Sequence, residues 1–303
     1  MSLQTTRGLA RGHGDVSGRM TPQPKSGLVW LASYPKSGNT WVRAFLHNLF
    51  KGMSGEAGSQ AINGLNRFTA AVNARELYAE ILGFKPTDQH RDQIASARHE
   101  VQRRATEQFE GLIFTKTHQA LLVDRGSTTI NFAVTAGVIY IVRNPLDVVI
   151  SYAHHIGRSL DETIAIMGSA NAEIPVTETQ VYEVLGSWSQ HVLSWTHKPH
   201  QALYVMRYED MLATPERTFG ALARHLLLTP TTGQLAEAID RSSFASLRAQ
   251  EETEGFQERP IKTDRFFREG RAGQWKGVLS ASQVSQIVKD HGPQMARFDY
   301  LPG

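Results

Sequence analysis

The segment Leu28-Val29-Trp30-Leu31-Ala32-Ser33-Tyr34-Pro35-Lys36-Ser37-Gly38 limits the possible folds more than any other. A short apolar run stops abruptly in a turn containing Pro and Gly, the pattern of a strand buried on both faces. From Asn39 the apolar period changes: Trp41, Val42, Phe45, Leu46 and Leu49 recur three and four apart, as along one side of a helix. Strand, glycine turn and helix in that order bring turn N–H groups and a helix N-terminus onto one anion. The common nucleotide loop G-x-x-x-x-G-K-[ST] sets its lysine directly after the last glycine. Here Lys36 precedes Gly38 and the upstream glycine is missing. The turn therefore suits a phosphate-like group without forming a triphosphate cradle.

Further strands follow. Residues 111–115 read as a second strand running into Lys116-Thr117-His118, and 138–142 as a β-branched, aromatic strand interior to a parallel sheet. The latter ends in Arg143-Asn144-Pro145, where Pro145 suits the first turn of a helix. Residues 157–179 read as a polar, mobile loop. A helix is expected through Val181, Val184, Leu185, Trp188, Val192 and Trp195, then a fourth strand at 202–206 and more helix from Tyr208. Strands alternating with helices predict an α/β fold: a single domain with a P-loop-like central parallel sheet flanked by helices.

Composition narrows the function. The 303 residues are 41% hydrophobic and 20% charged, enough to build a large core, and there is no Cys, which removes disulfides, thiolate metal sites and a cysteine nucleophile. Net charge is +3, too small an excess to mark a nucleic-acid binder but sufficient for a local basic pocket. No apolar run approaches the roughly 18 residues needed to cross a bilayer. Residues 1–26 are basic, rich in Gly, Ser and Thr, and lack the apolar stretch of a secretory signal. They read as a flexible tail ahead of a domain over 27–303, and a cytoplasmic location is expected.

The octapeptide Tyr34-Pro35-Lys36-Ser37-Gly38-Asn39-Thr40-Trp41 resembles the 5'-phosphosulfate loop of the sulfotransferases that use 3'-phosphoadenosine 5'-phosphosulfate (PAPS), with Asn39 for the usual first Thr of YPKSGTTW. Arg143-Asn144-Pro145-Leu146-Asp147-Val148-Val149-Ile150-Ser151 is similar to the family's 3'-phosphate motif, in which Arg143 and Ser151 would hold that phosphate. Arg268-Glu269-Gly270-Arg271-Ala272-Gly273-Gln274-Trp275-Lys276 resembles the segment RKGxxGDWK, so Arg268 and the Gly270 backbone would complete the site. Glu269 stands where the family has Lys, and Gln274 where it has Asp.

The resemblance implies sulfuryl transfer from PAPS to a hydroxyl or amine, releasing 3',5'-ADP (PAP). It implies donor contacts from Lys36, Ser37, Gly38, Asn39, Thr40 and Trp41, with Tyr208, Ser243, Phe244 and Leu247 around the adenine. Lys116-Thr117-His118 is similar to the family's Lys-Thr-His. This makes His118, with a near-neutral pKa, the general base, Lys36 the stabiliser of the leaving phosphate, and Lys116 an added positive charge; His154 and His155 are alternatives for the base. No metal is expected. The acceptor would be a small molecule, a glycan or a peptide, with no nucleic acid or membrane as partner. A homodimer is compatible with the C-terminal segment, which echoes the family's KxxxTVxxxE only at Lys276, Ser280 and Ala281, with Ser285 in place of the Glu. A P-loop kinase and a catalytically dead PAP-binding adaptor are the rival readings. Walker spacing and the Arg143/Ser151 pair disfavour the first, and the retained Lys36 and His118 disfavour the second.

Overall fold

A computed structural model describes residues 26–56, 61–107, 110–259 and 264–303. The predicted tail, 1–26, lies outside them but for Ser26. Four parallel strands form the central sheet in the order β2-β1-β5-β8: β1 Ser26–Ser33, β2 Gly111–Thr117, β5 Thr135–Val142 and β8 Leu203–Arg207. Two antiparallel two-residue ribbons, β3 (Val123–Asp124) with β4 (Ser127–Thr128) and β6 (Glu173–Ile174) with β7 (Glu183–Val184), lie outside this sheet. β1 and β5 are interior, as their unbroken apolar sequences require.

Alternate residues of β1 serve two cores. Leu28, Trp30 and Ala32 join Tyr140 and Val142 beneath the helices Arg91–Glu107, Pro145–Ile156, Trp188–Thr196 and Ala281–Arg297. Val29 and Leu31 join Ile139, Ile141 and Met206 on the other face. There α1 (Asn39–Met53) packs with Pro215–His225, and the Phe45 and Phe219 rings stack 4.2 Å apart. The two-sided burial expected of the sheet is therefore present. Among the described residues no helix is long and apolar enough to cross a membrane.

Two expected elements differ. Residues 157–179 are not an irregular loop: Ser159 and Glu162 form a capping box that starts the helix Leu160–Gly168, and β6 follows. The helix expected from Val181 begins only at Trp188. Gly186, at φ 63°, and a Ser187–Gln190 capping box set that start, while Glu183 and Val184 pair with β6. Over so few residues an apolar spacing of three or four fits either structure.

Because the strands are parallel, all four C-terminal ends meet at one edge. Tyr34 follows β1, His118 follows β2, Arg143 follows β5 and Tyr208 follows β8. β1 has its successor β2 on one side and β5 on the other, so the crevice beyond β1 and β5 is a topological switch point, where open α/β sheets bind ligands. Leu31, fully buried in β1, tests the core beneath that edge. Leu31→Ala is expected to cost about 2–5 kcal/mol in urea unfolding, whereas Leu227→Ala, at a residue 88% exposed, should change stability by no more than about 0.5 kcal/mol.

Candidate active site

The turn after β1 is built from two left-handed residues. Lys36 has φ 66° and Gly38 has φ 107°. Only glycine fits the second position comfortably, because a Cβ there would also lie 2.8 Å from the Tyr208 ring. Gly38 is the N-cap of α1, and no side chain caps that helix. That helix start borders a cavity of about 1200 Å³, and an N-terminus without a side-chain cap can receive an anion. Lys36, Gly38, Asn39, Thr40 and Trp41 line it.

The other motifs converge on the same cavity. Lys116, His118, Arg143, Ser151, Tyr208, Phe244, Leu247, Arg268 and Gly270 all line it. Gly270 at φ 61° lies so close to Phe244 that an added Cβ would come within 2.2 Å of the ring. Asp147 docks this C-terminal segment, its carboxylate accepting the N–H groups of Gly273 (2.6 Å) and Trp275 (3.0 Å). Glu269, the unexpected acid, pairs with Arg271 at 3.1 Å, so its charge is met locally.

Two predicted donor residues do not line the cavity. The Ser37 hydroxyl is buried with no partner among the described residues. Ser243 caps the helix Phe244–Glu254, its hydroxyl accepting from the Ser246 N–H. Asn39 reaches the cavity, but its amide donates inward to the Leu31 carbonyl at 2.8 Å, tying the loop to β1. His155 lines the cavity and His154 does not.

Arg143 braces the turn. Its Nη1 donates to the Lys36 carbonyl (3.1 Å), its Nη2 to the Arg271 carbonyl (3.2 Å), and its guanidinium lies 4.1 Å from the Tyr208 ring centre. The Arg143 Nε and the Trp41 indole N–H are buried with no partner among the described residues.

The electrostatics follow from crowding cations out of water. Burial, then the charges of Lys116 and Arg143, pushes the Lys36 ammonium down to about 7, and its Nζ sits 3.8 Å from the Phe266 ring centre. Burial, and next the Lys116 charge, hold His118 well below the usual histidine range. This corrects the near-neutral expectation: the ring is already neutral at neutral pH. Its Nδ1 donates to the Ser33 carbonyl at 2.7 Å, which leaves Nε2 as the acceptor. His155 is lowered to about 3, first by burial and then by Lys36.

Sequence reasoning missed Arg43, Glu258 and Glu183. Arg43 lies on α1, almost fully buried, and donates to Glu258 at 2.6 Å; Lys116 lies 3.8 Å from the same carboxylate. Burial works against ionising Glu258, but the Lys116 and Arg43 charges outweigh it and hold the carboxyl below its ordinary range. Glu183, also buried, accepts the His118 backbone N–H at 2.9 Å. A lone Arg inside the apolar pattern of α1 was the one available signal, and nothing nearby in sequence names its partner. Asp147→Ala should cost about 1–3 kcal/mol in urea unfolding, because two N–H groups lose their acceptor.

Residues 27–299 match the family described as the sulfotransferase domain. The chain is 25% identical to flavonol 3-sulfotransferase of Flaveria bidentis over 86% of this chain and 79% of that one. It is 24% identical to luciferin sulfotransferase of Photinus pyralis, over 84% and 68%. The fold is similar to mouse sulfotransferase SULT7A1 solved with PAP: TM-score 0.58 at 18% identity, covering 89% of this chain and 84% of that one. With its sheet order, its loop and a family match over nearly its whole length, the chain belongs to the sulfotransferase family.

Proposed function

We propose that this protein transfers a sulfuryl group from PAPS to a hydroxyl or amine of a small-molecule acceptor, releasing PAP. One observation carries the reading: the start of α1, which no side chain among the described residues caps, lines one cavity together with Lys36, Arg143 and His118. That cavity, at about 1200 Å³, exceeds the usual volume for one small ligand and has room for donor and acceptor together. The names of the flavonol and luciferin relatives support a small acceptor.

The roles follow from charge and position. Thr40 and the loop N–H groups hold the 5'-phosphate. Arg143, Ser151, Arg268 and the Gly270 backbone hold the 3'-phosphate, while Trp41, Tyr208, Phe244 and Leu247 enclose the adenine. The His118 Nε2 takes the acceptor's proton as its oxygen or nitrogen bonds to sulfur. The bond from sulfur to the bridging oxygen then breaks, and Lys36 meets the charge growing on that oxygen. Lys116 lowers the negative charge around the transferring group. The low basicity of His118 in the free protein is raised when the anionic donor arrives, since a nearby negative charge favours the imidazolium.

Calorimetry tests the donor site. Arg143→Ala should lose about 1.5–3 kcal/mol of PAP affinity, Arg268→Ala a similar amount and Ser151→Ala less. Unchanged affinity in Arg143→Ala overturns the 3'-phosphate assignment, and equal thermal protection by ATP and PAP favours a kinase.

Lys36 supplies a pH test. With its pKa near 7 in the free protein, it is mostly neutral at pH 8, where both phosphates of PAP are ionised, their second pKa being about 6. Bound PAP draws the proton back, so binding at pH 8 should take up close to one proton, and affinity should fall as pH rises above about 7. Titrations in buffers of different ionisation enthalpy measure this. Lys36→Met should abolish the uptake; a parent protein that takes up none refutes the placement of Lys36 beside the phosphates.

For chemistry, His118→Ala should bind PAP like the parent yet turn over about 10²–10⁴-fold more slowly on a weakly acidic alcohol. An acidic phenol should recover part of that loss, because it needs the base less. Full turnover on the alcohol moves the base to another residue.

A further inference from the structure

We propose that His191 is a positioning residue for the transfer reaction: a single buried imidazole that sets the base His118 against the phosphate loop. The inference rests on His118 being the base.

His191 is completely buried on the helix Trp188–Thr196, away from the cavity lining, and the mechanism makes no use of it. Its Nε2 lies 3.1 Å from the His118 carbonyl. A carbonyl only accepts, so Nε2 carries the proton. The other nitrogen, Nδ1, is then an acceptor and takes the Tyr140 hydroxyl proton at 2.8 Å. Tyr140 is itself fully buried, in the interior strand β5. Burial lowers His191 to about 3, so the ring stays in this neutral, one-donor, one-acceptor form. The same ring stands edge-on to Tyr34, the first residue of the loop, with centroids 5.4 Å apart.

His191 thus touches both ends of the reaction geometry. It bonds the backbone of the base and packs on the loop that carries Lys36. The remaining polar atoms of His118 are also fixed, its N–H by Glu183 at 2.9 Å and its Nδ1 by the Ser33 carbonyl at 2.7 Å. Only Nε2 is left to act. With the backbone of His118 held at its carbonyl and amide and its ring at Nδ1, the distance from Nε2 to the Lys36 end of the cavity is set by the core. A shift of about 1 Å in such a group can cost about 10²-fold in rate.

The test uses the full chain, PAPS and two acceptors, a weakly acidic alcohol and an acidic phenol. His118→Ala is measured first, because full turnover on the alcohol there removes the base reading and is seen independently of any His191 variant. If His118→Ala is slow, His191→Phe should leave PAP affinity within twofold and lower kcat on the alcohol about 10²-fold, with a smaller loss on the phenol. His191→Gln, whose amide can donate to the His118 carbonyl and accept from Tyr140, should recover at least about tenfold of that loss. A folded His191→Phe with kcat within about threefold of the parent, or with equal losses on both acceptors, overturns the proposal. Should His191→Phe not fold, Tyr140→Phe decides. It removes the far bond alone and should lower kcat about tenfold on the alcohol at unchanged PAP affinity; parental kcat overturns the proposal.

Discussion

The site depends on a helix start that the protein leaves unsatisfied. Among the described residues no side chain caps α1, and the left-handed turn at Lys36 and Gly38 puts its start at the cavity. In several helices among the described residues a Ser or Thr side chain fills that role, as Ser159, Ser187, Thr231 and Ser280 do. At α1 no side chain among the described residues fills it, which suits the anion site proposed there. The surrounding aromatic rings require the turn to be tight, since Tyr208 leaves no space for a side chain at position 38.

Concentrating positive charge around that helix start has a cost, and two devices limit it. Lys36 sheds much of its charge because burial and neighbouring cations disfavour it. Arg43 and Lys116 share the Glu258 carboxylate, so a buried guanidinium is not left without a counter-charge. Arg143 uses two of its donors on backbone carbonyls and its face on Tyr208, which fixes its direction before any ligand is present. A site arranged this way would need little rearrangement to take the proposed anion.

His118, the proposed base, is arranged on the same principle. His118 keeps one nitrogen free by committing the other to the Ser33 carbonyl, at the end of β1. The Lys36 turn and His118 are therefore anchored to the same strand end, and relative motion between them would have to bend the sheet.

How much of this is legible in the sequence differs from residue to residue. The strand–turn–helix at 28–49, the four sheet strands, the Arg143 and Gly270 segments and Lys116-Thr117-His118 are each local patterns, so order along the chain identifies them. Local patterning fails where contacts compete with it. The stretch from Val181 to Leu185 has helical spacing, but its Glu183 and Val184 pair with β6, and Asn39 lies in the loop motif but turns its amide to Leu31. Ser243, expected at the adenine, is used as a helix cap. The neutral state of His118, the Arg43–Glu258 pair, the Glu183 bond and the His191 contact join residues 65 to 215 positions apart. Sequence determined which chemistry the chain carries, because motif residues are fixed by near neighbours. Only the tertiary structure decided protonation and orientation, because those depend on burial and on partners that distant segments bring together.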